Sequence, residues 1–402
     1  MGLPSGGRGC CSRGQAIAAA AAVLGTCAFF LLGNRACPRS DNLLKAPLQQ
    51  PTAAEAPPPA ATTAAAADAA ATSPSGRQVV AMPRPAVSAK QLRAMVLDIP
   101  GSAGHRYGVK DSRGVGMDCM RVVFSPVGPV KRYLAVYHHH DRDTKTYEVY
   151  LAQSFNLLHW EFLRRLVNNA DMADLAVDEA TGCVLLVYEH FLSAKSQWPC
   201  SVGMRKYSSV SNLISGTAAA TFVAPNTLSQ LEGTPSISRW DSSAGTAEIW
   251  FHHHNATLNR DEVAQAELSD FPGIPEWNVT QDLGYMATVT RLGATGNVGG
   301  RHRIVLPGTG DVMMLQEGNI QPPPILPTKW KDWRVWLYTA HTKTFTKLNV
   351  QSHAKSTAFA NPSADFMPSP ASDRMALFVT YFIFKEGAGK GEGGSVVFYH
   401  EI

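Results

Sequence analysis

Two runs of three histidines, His138–His140 in YLAVYHHH and His252–His254 in IWFHHH, are the first residues in this chain to suggest chemistry. Imidazole binds transition metals and exchanges protons near neutral pH, so a metal centre is the obvious possibility to weigh. Each triplet ends an apolar run that reads as a strand, and successive strand residues face opposite sides. Three adjacent histidines therefore cannot converge on one ion, and no metal is expected. Hydrogen bonding to a polar ligand, or capping of strand ends, fits better, with His139, His190 and His253 as candidate ligand-binding residues. Carboxylates form the second group. Asp118 opens GMDCMRVVF, Asp171 and Asp174 lie in DMADLAVDEATG, and Glu232 and Glu317 open EGTPSI and EGNI. Gathered in one place, such acids are what proton transfer needs.

The elements that would position these residues are strands. From about Val109 helical periodicity is nearly absent, apart from a short helix expected just upstream at Ala89–Leu97. What recurs is an apolar strand, a polar turn and a second strand ending in an aromatic residue. Units are expected to start near 117, 171, 232, 317 and 361, with an insertion around GATGNVGGRHR after the third. Third and fourth strands follow in YEVYLAQSFNLLHWEF and DEVAQAELSDFPGIPEW. Self-similar four-stranded units that cannot bury both faces alone imply an all-β, five-bladed β-propeller, with a β-sandwich as the alternative. In such a blade the start of the first strand and the end of the second share an edge. Both histidine triplets then sit at second-strand ends, matched by Glu189–His190 and by Thr339–Ala340–His341.

The first 88 residues read differently. Residues 1–15 form a short tail, and 16–33, AIAAAAAVLGTCAFFLLG, are an uncharged apolar run of bilayer-spanning length. Residues 34–88 form an Ala/Pro/Thr-rich stalk, too poor in large apolar side chains to offset the entropy of ordering. The layout is that of a single-pass type II signal anchor, a disordered stalk and a lumenal domain over 89–402, as in the Golgi, with a secreted or plastid location as the alternatives. Charged residues make up 17% of the chain and its net charge is +4, with no basic patch interleaved with aromatics, so nucleic acid is not an expected partner. A monomer is expected. Of seven cysteines, Cys119, Cys183 and Cys200 lie in the β region and leave room for one disulfide, while no CxxC occurs. Sequons stand at Asn255 and Asn278.

The acidic strand starts carry a resemblance. Asp118, the Asp171/Asp174 pair and Glu232, with the segments EGTPSI, DLAVDEATGCVLLVY and YLAQSFNLLHWEF, resemble the five-bladed propeller glycosidases related to glycoside hydrolase family 43, over roughly residues 115–400. The resemblance implies Asp118 as general base, Glu232 as general acid, and Asp174, or Asp171, as the carboxylate that orients the acid. It implies an inverting hydrolysis in which the two working carboxyls stand roughly 6.5–9.5 Å apart. A carbohydrate is then the expected partner, and Trp198, Trp240 and Trp330 are placed to stack on sugar rings. No cofactor is expected, although some relatives carry an axial calcium. The chain departs from the family where Cys119, not proline, follows Asp118, where the second motif has an extra residue, and where Glu317–Gly318 repeats the EG pair. A non-catalytic carbohydrate-binding propeller is the second reading. A glycosyltransferase, suggested by Asp141-Arg142-Asp143, is the third and lacks the helices such folds need.

Overall fold

The computed structural model describes residues 85–402, apart from 126–131, 142–144, 194–195 and 324–326. The anchor, nearly all of the stalk and the second half of the D-x-D lie outside the described residues. Among those described, no helix is long and apolar enough to cross a membrane.

Among the described residues are five four-stranded antiparallel sheets, which form the expected propeller. Blade 1 holds β2 (Asp118–Ser125), β3 (Arg132–His140), β4 (Tyr147–Ser154) and β5 (Glu161–Asn168). Blade 2 holds β6 (Ala170–Val177), β7 (Val184–Ser193), β8 (Ser196–Tyr207) and β9 (Ala220–Val223). In blade 3 these places are taken by β10 (Glu232–Asp241), β11 (Thr246–Asn255), β12 (Arg260–Ser269) and β13 (Glu276–Gln281). Blade 4 runs through β14 (Val298–Val305), β15 (Val312–Asn319), β16 (Trp333–Thr339) and β17 (Thr344–Lys347). Blade 5 has β18 (Phe359–Pro368), β19 (Met375–Ile383) and β20 (Gly394–Glu401), and its outermost strand is β1 (Gly104–Arg106) from the start of the domain. That pairing, with His105 opposite Phe398, closes the ring.

Two expectations need correction. The fourth blade starts at Val298, inside the segment taken for an insertion, and EGN is the end of its second strand. Thr339 therefore ends a third strand, and Ala340 and His341 lie at the opposite edge from the histidine triplets. Two glycines at the head of VGGRHRIV hid the strand, because they weaken the apolar alternation that marks one. No disulfide joins Cys119, Cys183 and Cys200.

The apolar residues form one layer at each seam between blades. Strand alternation divides them: Leu134 and Val136 of β3 face blade 2, while Tyr133, Ala135 and Tyr137 face blade 5. Helix α1 (Ala89–Leu97) has the expected bounds. Ser88 caps it, with its hydroxyl accepting from the Gln91 N–H while the Gln91 side chain accepts from the Ser88 N–H. Its buried Leu92 and Val96 join the seam of blades 4 and 5. Val87, two residues before the expected domain start, is already buried there. Two further short helices, α2 (Val210–Ser215) and α3 (Leu283–Arg291), lie in connections between strands.

Candidate functional site

Each innermost strand breaks register shortly after it starts: between Asp118 and Arg121, Asp171 and Asp174, Gly233 and Ser236, Val298 and Arg301, and Ala360 and Ser363. In four blades the bulged residue is a non-glycine in the left-handed region: Cys119 (φ 51°), Met172 (44°), Thr234 (46°) and Asn361 (44°). In blade 4 Gly299 holds the equivalent position without a left-handed backbone. Side chains do not adopt this region readily, so each bulge must be held by its surroundings.

The second strands supply the hold. The N–H of Met172 donates to Nδ1 of His138 at 3.1 Å, that of Thr234 to Glu189 at 2.9 Å, and that of Asn361 to Glu317. In each case a side chain from one blade accepts from the bulge of the next. His138 lies opposite Asp118, Glu189 opposite Asp171, and His252 opposite Gly233. The first histidine of each triplet thus occupies the clasp position. Burial pushes the His138 imidazole down to about 3, which keeps it neutral and able to accept. Gly233 belongs to this arrangement too, since a Cβ there would come within 2.0 Å of the Glu189 carboxylate.

Four carboxyls gather near the axis at this edge. The fields of Asp118, Glu317 and Asp171, added to burial, push the Cys119 thiol far above its usual range. Asp171 and Asp118 act likewise on the buried phenol of Tyr147. Asp118 is partly exposed, and burial of its carboxyl raises it to about 6. Asp171 is 5% exposed and is pushed well above the carboxylate range by burial, then by Glu189 across the ladder. Burial also raises Glu189, but the field of His252 and the Thr234 N–H pull it back. Asp171 is therefore the member of the pair that keeps the proton. Glu317 accepts from the Gly300 N–H at 2.6 Å, is raised by burial, and feels Arg121 and His252 in opposition.

The other sequence candidates are held by different partners. Asp174 lies beyond the bulge, with one oxygen accepting from the Leu175 N–H and the other from the Ile237 N–H of blade 3, each at 2.8 Å. Glu232 is 0% exposed, and its Oε1 accepts from the N–H groups of Thr227, Leu228 and Ser229 in the connection before its strand. His253, opposite Glu232, is buried and meets Gln281 at 3.1 Å. His139 is half-buried opposite Glu148, and His190 is half-buried with its ring edge-on to Tyr188. Trp198 is half-buried at the start of β8, on the same edge. Glu189 was visible in the sequence only as the neighbour of His190. Its register opposite Asp171 is what makes it part of the site. No group of three or more His, Cys, Asp or Glu residues among the described ones is arranged to hold a metal ion.

Neither a family model nor a curated protein matches this chain. Among the solved structures that it matches are glycoside hydrolases of families 43 and 32. One is described as a thermostable family-43 glycoside hydrolase, 12% identical with a TM-score of 0.46, over 74% of this chain and 92% of that one. Another, described only as a glycoside hydrolase, is 12% identical at a TM-score of 0.49, over 78% and 95%. A third, a family-43 β-1,3-galactosidase with galactodeoxynojirimycin, is 9% identical at 0.45, over 75% and 94%. The likeness is one of chain trace, and the chemistry has to be read from this chain's own residues.

Proposed function

We propose that the protein is a carbohydrate-active hydrolase of O-glycosidic bonds, acting on a polysaccharide or a protein-linked glycan at the axial mouth where Asp118, Asp171 and Glu189 meet. The observation that carries this reading is the division of protonation among neighbouring carboxyls. Asp118 is partly exposed and ionises near pH 6, whereas Asp171 is forced to hold its proton by burial beside Glu189. An inverting glycosidase needs one ionised carboxylate to activate water and one protonated carboxyl to serve the leaving oxygen. Asp118 takes the first role, and the Asp171–Glu189 pair supplies the proton. In this reading Glu232, which the sequence resemblance made the acid, organises the 227–229 connection through its Oε1.

The test is turnover of a panel of aryl glycosides by Asp118→Asn, Asp171→Asn and Glu232→Gln. The first two lose hydrolysis, while Glu232→Gln, whose amide oxygen still accepts the three N–H groups, keeps most of it. Loss in Glu232→Gln with survival in Asp171→Asn returns the donor role to Glu232. A second reading, a non-catalytic carbohydrate-binding propeller, is favoured by the full burial and backbone commitment of Glu232. It is the correct one if the parent binds glycans on an array and hydrolyses none of the panel. The apolar run at 16–33 supports a type II membrane anchor with the propeller in the secretory lumen. Protease protection of residues 85–402 in sealed vesicles checks that orientation.

A further inference from the structure

The mouth is charged on the side of blades 1 to 3 and aromatic on the side of blades 4 and 5. The connection after β15 carries Trp330 on a 3-10 turn, Pro327–Asp332, and the connection after β19 begins with Phe384. Both leave their sheets at the edge where Asp118 lies, because Gly318 pairs with Val298 and Ile383 with Phe359, at the starts of their inner strands. The ring centroids of Trp330, Trp333 and Phe384 form a nearly equilateral triangle: 6.2 Å between the indoles, 4.9 Å from Trp330 to Phe384 and 5.9 Å from Trp333 to Phe384. Were Trp333 and Phe384 on opposite faces of Trp330, they would stand about twice as far apart. Both therefore pack on one side of Trp330, which is partly exposed, whereas Trp333 is 7% exposed.

Phe384 also meets Phe382 edge-on at 5.3 Å. Phe382 lies opposite Ala360, which is the register position that His138, Glu189 and His252 hold in blades 1, 2 and 3. From that position His138 and Glu189 reach the bulge of the following blade. After blade 5 the following blade is blade 1, whose bulge is Cys119, next to Asp118. Phe382 is a partly exposed aromatic where the other blades use acceptors. A half-buried ring beside the candidate base thus continues outward through Phe384 to Trp330 at the rim.

We infer that Phe382 and Trp330, oriented by Phe384 between them, form a stacking wall that takes the apolar C–H face of a pyranose ring and presents its glycosidic bond to Asp118. The inference rests on the hydrolase reading and assigns where its sugar lies. Sugars offer hydroxyls at the ring edge and C–H groups on the face, and aromatic walls with a few convergent polar groups suit that division. The experiment takes the full chain and its Trp330→Ala, Trp330→Phe, Phe382→Ala and Asp118→Asn variants. Rates on aryl xylosides and galactosides are measured beside tryptophan emission during titration of Asp118→Asn with xylo- and galacto-oligosaccharides. Trp330→Ala and Phe382→Ala should raise KM by about tenfold or more, the scale of a lost aromatic anchor, with a smaller change in kcat. Trp330→Phe, which keeps a ring against Phe384, should restore KM toward the parent, and the emission change should vanish when it is added to Asp118→Asn. If KM is unmoved in both alanine variants while Asp118→Asn is inactive, the wall is packing alone and only the inference falls. If the parent turns over no glycoside and no oligosaccharide alters emission, the hydrolase reading falls and the inference with it.

Discussion

At the scale of single residues, two ionisable side chains carry consequences on the acid side, one for activity and one for stability. The Asp118 carboxyl is raised to about 6 by burial, and a general base works only when ionised. The kcat/KM profile should therefore fall below pH 6, roughly tenfold per unit, and that limb should be absent from any residual rate of Asp118→Asn. His138 sits at about 3 in the folded protein against roughly 6.5 when unfolded, so the unfolded chain binds the extra proton between those values. The stability it contributes is fully present above pH 6.5 and is lost as pH falls toward 3. Relative to His138→Leu, the parent should lose about 2 kcal/mol between pH 6.5 and pH 5. The variant should itself be less stable at pH 7 by about 1–3 kcal/mol, because the Met172 N–H loses its acceptor. Urea unfolding at the three pH values measures both effects, and a parallel pH dependence in parent and variant would remove His138 from the clasp.

The unit that matters at the scale of elements is the bulge at the head of each inner strand together with the second-strand side chain of the blade before it. Gly233 shows how tightly the two are fitted. Its backbone needs no left-handed freedom, but its missing side chain is the space into which Glu189 lies. Gly233→Ala should cost about 1–3 kcal/mol in chemical denaturation and should dislodge Glu189. Released from Glu189, Asp171 should lose its proton at lower pH, which the pH profile of hydrolysis would register as an alkaline limb moved toward acid. A Gly233→Ala protein of parental stability would show that Glu189 is not held where the ladder places it.

At the scale of the whole propeller, the described residues form a ring of five seams, each filled by one apolar layer, closed by a strand from the start of the domain. Closure by β1 and the bracing of blades 4 and 5 by α1 make residues 85–106 part of the fold rather than of the stalk. Leu92 is fully buried in that seam, and Leu92→Ala should lower stability by about 2–5 kcal/mol in a thermal or urea melt. A change under 1 kcal/mol would mean that the helix only rests on the ring. The same closure brings residues over two hundred positions apart into contact, as where the Asn361 amide meets the Cys119 sulfur at 2.9 Å.

Much of this was legible in the chain itself. Recurring apolar strands separated by polar turns implied five small sheets, and the stretch AKQLRAMVL marked the one helix expected. These are local properties, set by backbone geometry and by which face of a strand is oily. What the tertiary structure decided was which acids face one another. Asp171 and Asp174 are three residues apart on the same strand, and a bulge between them sends one toward Glu189 and the other onto the N–H of its neighbour Leu175 and that of Ile237 in the next blade. The glycines of VGGRHRIV hid a strand in the same way, since Gly299 leaves room for the Glu317 carboxylate and neither glycine carries an apolar pattern. A carboxyl's protonation depends on neighbours brought in by ring closure and on the water that closure removes. Neither quantity is a property of any local stretch of sequence.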